Sequence, residues 1–575
     1  MKDFWKMLLA VLCGLAIFGF LTILFFSSAL GASMAASGGK NVVLPRSGVL
    51  AIDMSAFTLA EQEKPIPAFQ SGTPIPTVSL YKAVTALKTA ASDPGVKYIF
   101  LRTDGNMSNQ ASIEELRKAL AEFRQTSGKP VVAYIESPST GGYWLASVAD
   151  KVYMTEYQGS TVTLTGVATQ SVFLKDLLDR FGVNMQLIRH GKFKSAGEMY
   201  TRNSSSPENT MQLKAVVNSM WSVMRADIAA SRGITEAAVD EAIDGLKLCL
   251  PEDFLREHFA DAIVNRSELK ERLASIAVAA SFDDVQFIPF PDYVAAKSLP
   301  NYRAKTKVAV IYTDGEIVDG RAQEQVAGDR FAAVISRVRA DSTVKAVVLR
   351  VNSPGGSVLA SEKIKHELDL LGKEKPLVAS YGNMAASGGY WISNNCEKIF
   401  SDAVTLTGSI GVFGLVPDFS KTAKDVLKVG VQSVSSNRHG DMWSLMRPFD
   451  SAEYNYMLRS IEAIYDRFTT IVAEGRELPK AKVDEIGQGR VWTGADALGI
   501  GLVDEIGTLG DALAYAATAA GINLDETMVK GYPEPLTAMQ QIMQMFGSQN
   551  PQEEFVRSMA KPQVIARSPY EINVY

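Results

Sequence analysis

Cysteine and histidine are scarce in this sequence of 575 residues, which contains three cysteines and four histidines. Three cysteines cannot build the disulfide framework of a small secreted domain. The histidines never stand in a His-x-x-x-His spacing, and no Cys-x-x-Cys pair occurs; they are His190, His258, His366 and His439. A zinc enzyme is therefore not expected, and no motif calls for a metal or an organic cofactor.

An excess of charge of one sign is also lacking, since the formal net charge at pH 7 is −5. The sequence therefore gives no electrostatic reason to expect a nucleic-acid partner. Hydrophobic residues make up 47% and charged residues 21% of the chain, which is the balance of a folded globular protein and excludes extensive disorder. At about 150 residues per domain, the length predicts several domains.

Only one long apolar run occurs, which excludes a polytopic membrane protein. Met7–Phe26 carries no charge, and a helix of that length spans ~30 Å, the thickness of a bilayer's hydrocarbon core. Lys2 and Lys6 precede it, which favours a cytoplasmic N-terminus with the rest of the chain extracytoplasmic. Small residues at Ser27–Ala32 leave a cleaved signal peptide as the alternative, but the run exceeds a signal core of roughly 7–15 residues and favours an uncleaved anchor.

The sequence repeats itself once with a long period. Four segments recur in the same order 242 to 248 residues later, and together they indicate two copies of one domain. The pairs are Val96–Arg102 with Val344–Arg350, Pro130–Ala133 with Pro376–Ala379, Gly141–Trp144 with Gly388–Trp391, and Val162–Gly166 with Val404–Gly408.

Each copy predicts an α/β domain. Short β-branched runs such as Val308–Tyr312 and Leu377–Tyr381 are typical of buried strands, and Ser361–Leu371 has the periodicity of an amphipathic helix. Their alternation predicts parallel βαβ units. The predicted organisation is a stub and transmembrane anchor (1–33), a linker (34–46), two repeats (47–295 and 305–522), and a tail (523–575) expected to be a helix plus a loose end.

The second copy has a glycine turn that the first copy lacks. Ser353–Ser357 contains Gly355 and Gly356 between a predicted strand and a predicted helix, whereas the first copy reads Thr103–Met107 there. Such a turn exposes backbone N–H groups that can bind an oxyanion. An ordinary tight turn is the alternative, but the first copy indicates that the fold does not need the glycine pair.

Ser387 is the candidate nucleophile. It follows a predicted strand, stands among small residues and begins a predicted helix, where the helix dipole favours developing negative charge. A helix N-cap is the alternative, and Thr140 occupies this position in the first copy. A hydroxyl here does not decide between these interpretations.

The general base is less obvious. His366 lies on a predicted amphipathic helix and His439 in a polar loop, and neither is near Ser387 in sequence. A lysine can serve instead if burial lowers its pKa towards neutrality. The first copy contains Lys192 and Lys194, and solvent exposure in a polar loop is the alternative interpretation of both.

Each copy retains one part of a possible shared site. Arg189–Ala196 aligns with Arg438–Ser444. In this alignment Lys192 pairs with Asp441, and Lys194 pairs with Trp443. The first copy therefore has lysines without the serine, and the second has the serine without a lysine. The simplest interpretation is one site at the junction of the two copies.

These segments resemble the large, duplicated form of the signal peptide peptidase A family, membrane-anchored Ser/Lys proteases whose domains are similar to crotonases and Clp protease. The resemblance extends from about Val49 to Asp525. It rests on five segments: Asn352–Gly356, Ala385–Trp391, Leu406–Gly411, Gly191–Ala196, and Gly489–Gly494 continuing through Gly501–Asp504.

The resemblance implies a role for each matched residue. Ser387 would be the nucleophile and Lys194 the general base, because the family's lysine directly precedes Ser-Ala. Ser409, which is Val167 in the first copy, would hold the lysine amine. The backbone N–H of Gly356, with Gly355 beside it, would stabilise the oxyanion.

The resemblance further implies an endopeptidase that degrades apolar peptides, in particular remnant signal peptides. It implies a single-pass inner-membrane protein, with most of the chain periplasmic, that forms a homo-oligomer, with a tetramer suspected. A catalytically silent membrane scaffold and a crotonase-like acyl-CoA enzyme are the alternatives. Retention of both Ser387 and Lys194 argues against the scaffold, and extracytoplasmic exposure argues against acyl-CoA.

Overall fold

The computed structural model describes residues 43–63, 75–106, 108–323 and 325–535, together with the backbone of a strand at 563–567. The predicted anchor Met7–Phe26 lies outside these residues. Among the helices that are described, none combines the length and the apolar character needed to cross a membrane.

The first half alternates strands and helices, as the sequence predicts. Its strands are β1 (Gly48–Asp53), β2 (Thr58–Ala60), β3 (Thr77–Ser79), β4 (Val96–Arg102), β5 (Val131–Ile135), β6 (Lys151–Thr155), β7 (Asn184–His190), β8 (Ala262–Val264) and β9 (Phe287–Pro289). Its helices are α1 (Leu80–Ser92), α2 (Gln110–Ser127), α3 (Thr140–Ala146), α4 (Lys175–Arg180), α5 (Glu198–Thr201), α6 (Pro207–Arg232), α7 (Glu236–Asp244), α8 (Pro251–Arg256), α9 (Arg266–Ile276) and α10 (Phe290–Lys297).

The second half has the same alternation. Its strands are β10 (Lys307–Asp314), β11 (Ile317–Val318), β12 (Val326–Ala327), β13 (Val344–Ser353), β14 (Gly355–Ser357), β15 (Leu377–Ala386), β16 (Lys398–Ser401), β17 (Leu406–Gly408), β18 (Val412–Asp418), β19 (Val491–Thr493), β20 (Glu505–Ile506), β21 (Met528–Tyr532) and β22 (Gln563–Arg567). Its helices are α11 (Gly328–Ala340), α12 (Val358–Gly372), α13 (Gly388–Ser393), α14 (Ser451–Gly475), α15 (Lys480–Ile486), α16 (Gly494–Gly499) and α17 (Leu509–Ala519).

The two main sheets have equivalent strand orders. The first sheet runs β8-β6-β5-β4-β1-β9, and the second contains the matching path β20-β16-β15-β13-β10-β21. All of these pairings are parallel. The central strands are buried almost throughout because helices cover both faces of a parallel sheet. The structure therefore confirms the mixed α/β class and is consistent with the duplication inferred from sequence.

The described start of the tail, residues 523–535, contains a strand, and most of the segment in which a helix and a loose end are expected lies outside the described residues. β21 pairs in parallel with β10 and so completes the second sheet, as β9 completes the first. The sequence pattern did not reveal this strand because Met528–Tyr532 is short and only half-buried. The part of the tail up to Pro535 therefore belongs structurally to the second half.

A third sheet joins the halves, in the order β12-β11-β14-β22-β18-β7. β7 of the first half pairs antiparallel with β18 of the second along its whole length, from Asn184 opposite Asp418 to His190 opposite Val412. β22 lies between β14 and β18 and is antiparallel to both. Because β7 leads directly into the loop that carries Lys194, this pairing brings that loop to the second half.

Buried charges also cross the junction. Arg350 of β13 donates to Glu61 at 2.8 Å and forms an ion pair with Glu115 at 2.8 Å, and all three side chains are almost inaccessible. Glu114 accepts hydrogen bonds from the backbone N–H groups of Ala403 and Val404 at 3.0 and 3.1 Å. Removing one partner of such a buried pair typically costs about 3–5 kcal/mol, so the relative position of the halves is strongly specified.

Candidate active site

Ser387 stands between β15 and α13 in an unusual backbone conformation. Its φ of 56° lies in the left-handed region, which costs a non-glycine residue of order 1–3 kcal/mol. Its N–H donates to the carbonyl of Gly408 at 2.8 Å, and its side chain makes no capping hydrogen bond to α13. Ser387 thus occupies the N-cap position without capping the helix through its side chain, and its buried Oγ is available for other contacts.

The amine of Lys194 meets two serines of the other half. Lys194 Nζ lies 2.9 Å from Ser387 Oγ, 3.0 Å from Ser409 Oγ and 3.1 Å from the carbonyl oxygen of Ser409. All three residues are completely buried. The structure thus brings together three of the residues that the sequence singled out, although the lysine is 193 and 215 positions away from the two serines.

Burial sets the protonation state of this amine. Loss of solvation lowers the pKa of Lys194 to about 7, and no charged neighbour contributes to the shift. A neutral amine has two N–H donors and one lone pair. In that state the two N–H groups can donate to the oxygens of Ser409, and the lone pair can accept from the Ser387 hydroxyl.

The counterpart of Ser387 in the first half has a different environment. Thr140 is the first residue of α3, and its hydroxyl lies 3.3 Å from the carbonyl oxygen of Thr163 and 3.0 Å from that of Gly166. It also accepts a hydrogen bond from the N–H of Thr165 at 3.1 Å. This hydroxyl therefore stabilises a local turn in its own half.

Gly489 is a site residue that the sequence analysis did not assign a role. It has a φ of +83°, and a Cβ built on it would lie 2.5 Å from the Cβ of Lys194. The backbone of the second half therefore approaches Lys194 so closely at this position that only a residue without a side chain fits. Gly489 begins one of the segments on which the family resemblance rests, but sequence alone could not show what it contacts.

The residues on either side of Gly489 hold the lysine loop and one hydrogen-bond partner of the amine. The carbonyl of Gln488 accepts from the N–H of Phe193 at 3.0 Å, next to the lysine in the chain. The carbonyl of Arg490 accepts from the N–H of Ser409 at 2.7 Å. One short segment thus holds the lysine loop and the Ser409 backbone at a fixed separation.

The glycine turn lies beside the start of α13. Gly355 donates its N–H to Ser353 Oγ at 3.2 Å, so of the two predicted oxyanion donors the geometry favours Gly356. A Cβ built on Gly388 would lie 3.1 Å from the backbone nitrogen of Gly356. Gly388 opens α13, where the first N–H groups have no partner within the helix. The sequence analysis did not name Gly388 as a candidate second donor, although its place directly after Ser387 at a helix start was a usable signal.

The alternative bases lie elsewhere. Lys192 is exposed, with its amine 5.4 Å from the centroid of the Phe193 ring, and His366 is exposed on α12. The Nδ1 atom of His439 lies 2.9 Å from a carboxylate oxygen of Glu453. Among the described residues, none of the three forms a hydrogen bond with Ser387.

His439 belongs to a group whose geometry superficially suits a metal ion. Its ring nitrogen and the carboxylates of Asp450 and Glu453 lie within 4.8 Å of one another. Arg447, however, donates to both oxygens of Glu453, at 2.6 and 2.7 Å. The guanidinium already neutralises the most buried carboxylate, so this arrangement is explained as an ion-pair network.

Comparison with known proteins agrees with this organisation. The family model described as Peptidase family S49 matches residues 123–280 and 369–523, one region in each half. Protease 4 of Haemophilus influenzae is 32% identical over 572 residues, covering 94% of this chain and 91% of that protein. Protease 4 of Salmonella typhi is 36% identical over 478 residues, covering 81% and 75%.

A plant relative extends the comparison. The chloroplastic serine protease SPPA of Arabidopsis thaliana is 28% identical over 500 residues, covering 84% of this chain and 71% of that protein. The family regions and the near full-length relatives confirm the resemblance read from the motifs. The chain belongs to peptidase family S49 and is a serine protease.

Proposed function

We propose that Ser387 is the nucleophile and Lys194 the general base of a Ser/Lys peptidase assembled from both halves of the chain. The observation that carries this proposal is the buried amine of Lys194, 2.9 Å from Ser387 Oγ. Its pKa of about 7 leaves a large neutral fraction at physiological pH. Ser409 orients the amine from the other side, at 3.0 Å.

The reaction is acyl transfer. Neutral Lys194 takes the proton of the Ser387 hydroxyl as Oγ bonds to the substrate carbonyl carbon. The resulting oxyanion accepts hydrogen bonds from the backbone N–H groups of Gly356 and Gly388. The C–N bond then breaks, and the lysine ammonium gives its proton to the leaving amine. A water molecule, deprotonated by Lys194, hydrolyses the acyl-serine ester and restores the enzyme.

Extended peptides fit this site by strand addition. β22 already lies antiparallel to β14, with Ala566 opposite Gly356 and Ile565 opposite Ser357. On its other side, Ile565 is opposite Phe413 of β18. A peptide lying between these strands would pass the glycine turn next to Ser387, with its backbone satisfied on both sides. This arrangement supports an endopeptidase that accepts unfolded, extended segments.

Membrane anchoring and the substrate class are the finer parts of the proposal. Met7–Phe26 has the length and composition of a single-pass anchor, which would hold the peptidase on the extracytoplasmic side of the inner membrane. The buried, desolvated site favours apolar peptides over charged ones. Remnant signal peptides released into the membrane combine both properties, and the family resemblance supports them as substrates.

The pH dependence of peptide hydrolysis tests the proposed base. Because Lys194 must be neutral, kcat/KM for a fluorogenic apolar peptide is expected to rise with pH through about 7 and to fall about tenfold per unit below it. The measurement is the rate from pH 5 to 9, alongside thermal stability at each pH. A double variant His366→Ala, His439→Ala is expected to keep the same profile. If that variant no longer lost activity below pH 7, the loss of this acid limb of the pH–rate profile would identify a histidine as the base.

Because β22 of the tail lies between β14 and β18, where a peptide would bind, we expect it to compete with substrate. A chain that ends after Pro535 retains β21 but lacks β22, so we expect KM for a short peptide to fall several-fold with kcat little changed. A full-length chain with residues 563–567 replaced by glycine and serine is the matched control and should behave like the truncated chain. An unchanged KM in both variants would contradict occupation of the groove by the tail.

A further inference from the structure

Gln212 is a buried amide next to the lysine loop that the mechanism above does not use. It lies on α6 and has no exposed surface. Its Nε2 lies 3.0 Å from the carbonyl oxygen of Phe193 and 3.0 Å from Ser195 Oγ. One amide thus contacts the residues immediately before and after Lys194.

The other end of the same amide reaches the second half. Gln212 Oε1 accepts from the N–H of Val491 at 3.2 Å. Val491 lies on β19 opposite Gly408 of β17, and the next residue after Gly408 is Ser409. The side chain therefore links the loop that carries the amine to the strand pair that carries the amine's hydrogen-bond partner.

The duplicated fold does not itself need an amide at this position. The long helices α6 and α14 each begin at a capping side chain, Ser206 and Asp450, that accepts from backbone N–H groups of the first turn. The buried face of α6 includes Gln212, Val216, Met220 and Met224, and that of α14 has the same spacing at Met457, Ile461, Tyr465 and Thr469. Matching these faces places the apolar Met457 where the half with the lysine has the buried amide. Burying an amide is costly unless its hydrogen bonds are made, which favours a specific role over filling space.

We propose that Gln212 is a positioning residue that fixes the Lys194 loop against β19, so that the amine is held between Ser387 and Ser409. Its neutrality matters as well as its hydrogen bonds, because a carboxylate in this buried region would favour the ammonium form of the lysine. This inference rests on the proposed role of Lys194 as the base.

Several charged side chains surround the loop that carries Lys194, and they set the background for any added charge. Arg189 donates to the carbonyl oxygen of Lys194 at 3.0 Å and is paired with Glu198 at 3.2 Å. Arg490 and Lys192 both lie close to the neighbouring Phe193 ring, at 5.3 and 5.4 Å from its centroid. Desolvation by burial lowers the pKa of the lysine, and an ionised carboxylate placed near the amine would oppose that effect by favouring the ammonium form.

Two variants test the proposal. Gln212→Met keeps the side-chain length but removes the hydrogen bonds, and we expect kcat to fall about 10- to 100-fold with KM within about threefold. Gln212→Glu is isosteric, and we expect the acid limb of its pH–rate profile to move at least about one pH unit towards alkaline pH. Asn218→Asp adds the same charge on the exposed side of α6 and should leave the limb unchanged.

The outcomes separate this inference from the proposed function. If the wild type has an acid limb near pH 7 and both Gln212→Met and Gln212→Glu keep that limb and the wild-type kcat, Gln212 is not a positioning residue. If the wild type shows no such limb, the assignment of Lys194 as the base fails first. If Gln212→Met does not fold, the pH profile of the isosteric glutamate variant still decides.

Discussion

Lys194→Ala and Ser387→Ala are each expected to lower kcat/KM for an apolar peptide by at least about 10³-fold, and the double variant is expected to be no slower than either single one. The two side chains act as a unit, since the hydroxyl is a weak nucleophile without the neutral amine beside it. The measurement is the initial rate of hydrolysis of a fluorogenic peptide, with oligomeric state checked by light scattering.

The structure offers matched controls for this result. Lys192→Ala removes an exposed lysine two positions away and should keep the rate within about twofold, as surface substitutions usually have small effects. Retention of most activity by Lys194→Ala would contradict the proposed site.

Lys194→Met should also be at least as stable as the wild type to thermal unfolding, because burial already disfavours the charged form of this amine.

Gly489→Ala is expected to have the second largest effect, with activity reduced at least about 10²-fold. The new methyl group would lie 2.5 Å from Lys194 Cβ and 2.6 Å from its Cα, so either the lysine loop or the 488–490 segment must move. The φ of +83° adds backbone strain of about 1–3 kcal/mol. Kinetics with a fluorogenic peptide and a thermal melt measure the two consequences separately.

Gly499→Ala is the matched control, because a Cβ there meets no atom within 4 Å and its φ lies outside the left-handed region. That variant should retain both activity and stability. If Gly489→Ala retained wild-type kcat while losing stability, the glycine would serve folding alone. The close approach of the 488–490 segment would then have no part in holding the amine.

The two halves have diverged around their shared junction. The first half has the lysine in the loop that follows β7, and its counterpart of Ser387 is Thr140, whose hydroxyl donates to the carbonyl oxygen of Gly166 in the same half. The second half keeps Ser387, the glycine turn and Ser409, whereas the first half has Val167 at the last of these positions. The proposed site therefore takes its lysine from one half and its two serines from the other.

Local sequence determined a great deal about this protein. Alternating buried strands and amphipathic helices predicted the α/β class, and four recurring segments predicted the duplication, since these patterns depend on contacts within each half. The motifs also singled out Ser387 and the Gly355–Gly356 turn, because nucleophile turns and glycine pairs leave local signatures, whereas the choice of Lys194, Ser409 and Gly356 came from the family resemblance. They identified the family that the relatives then confirmed.

Only the tertiary structure decided how these parts meet. The pairing of β7 with β18 brings the amine of Lys194 to two serines far away in sequence, and no local pattern encodes a contact across 193 residues. Likewise, the closeness of Gly489 to the lysine, the place of β21 in the second sheet and the bridging amide of Gln212 follow from the packing of one half against the other. The lowered pKa of the lysine is a property of that burial, because desolvation exists only once the two halves have closed around the amine.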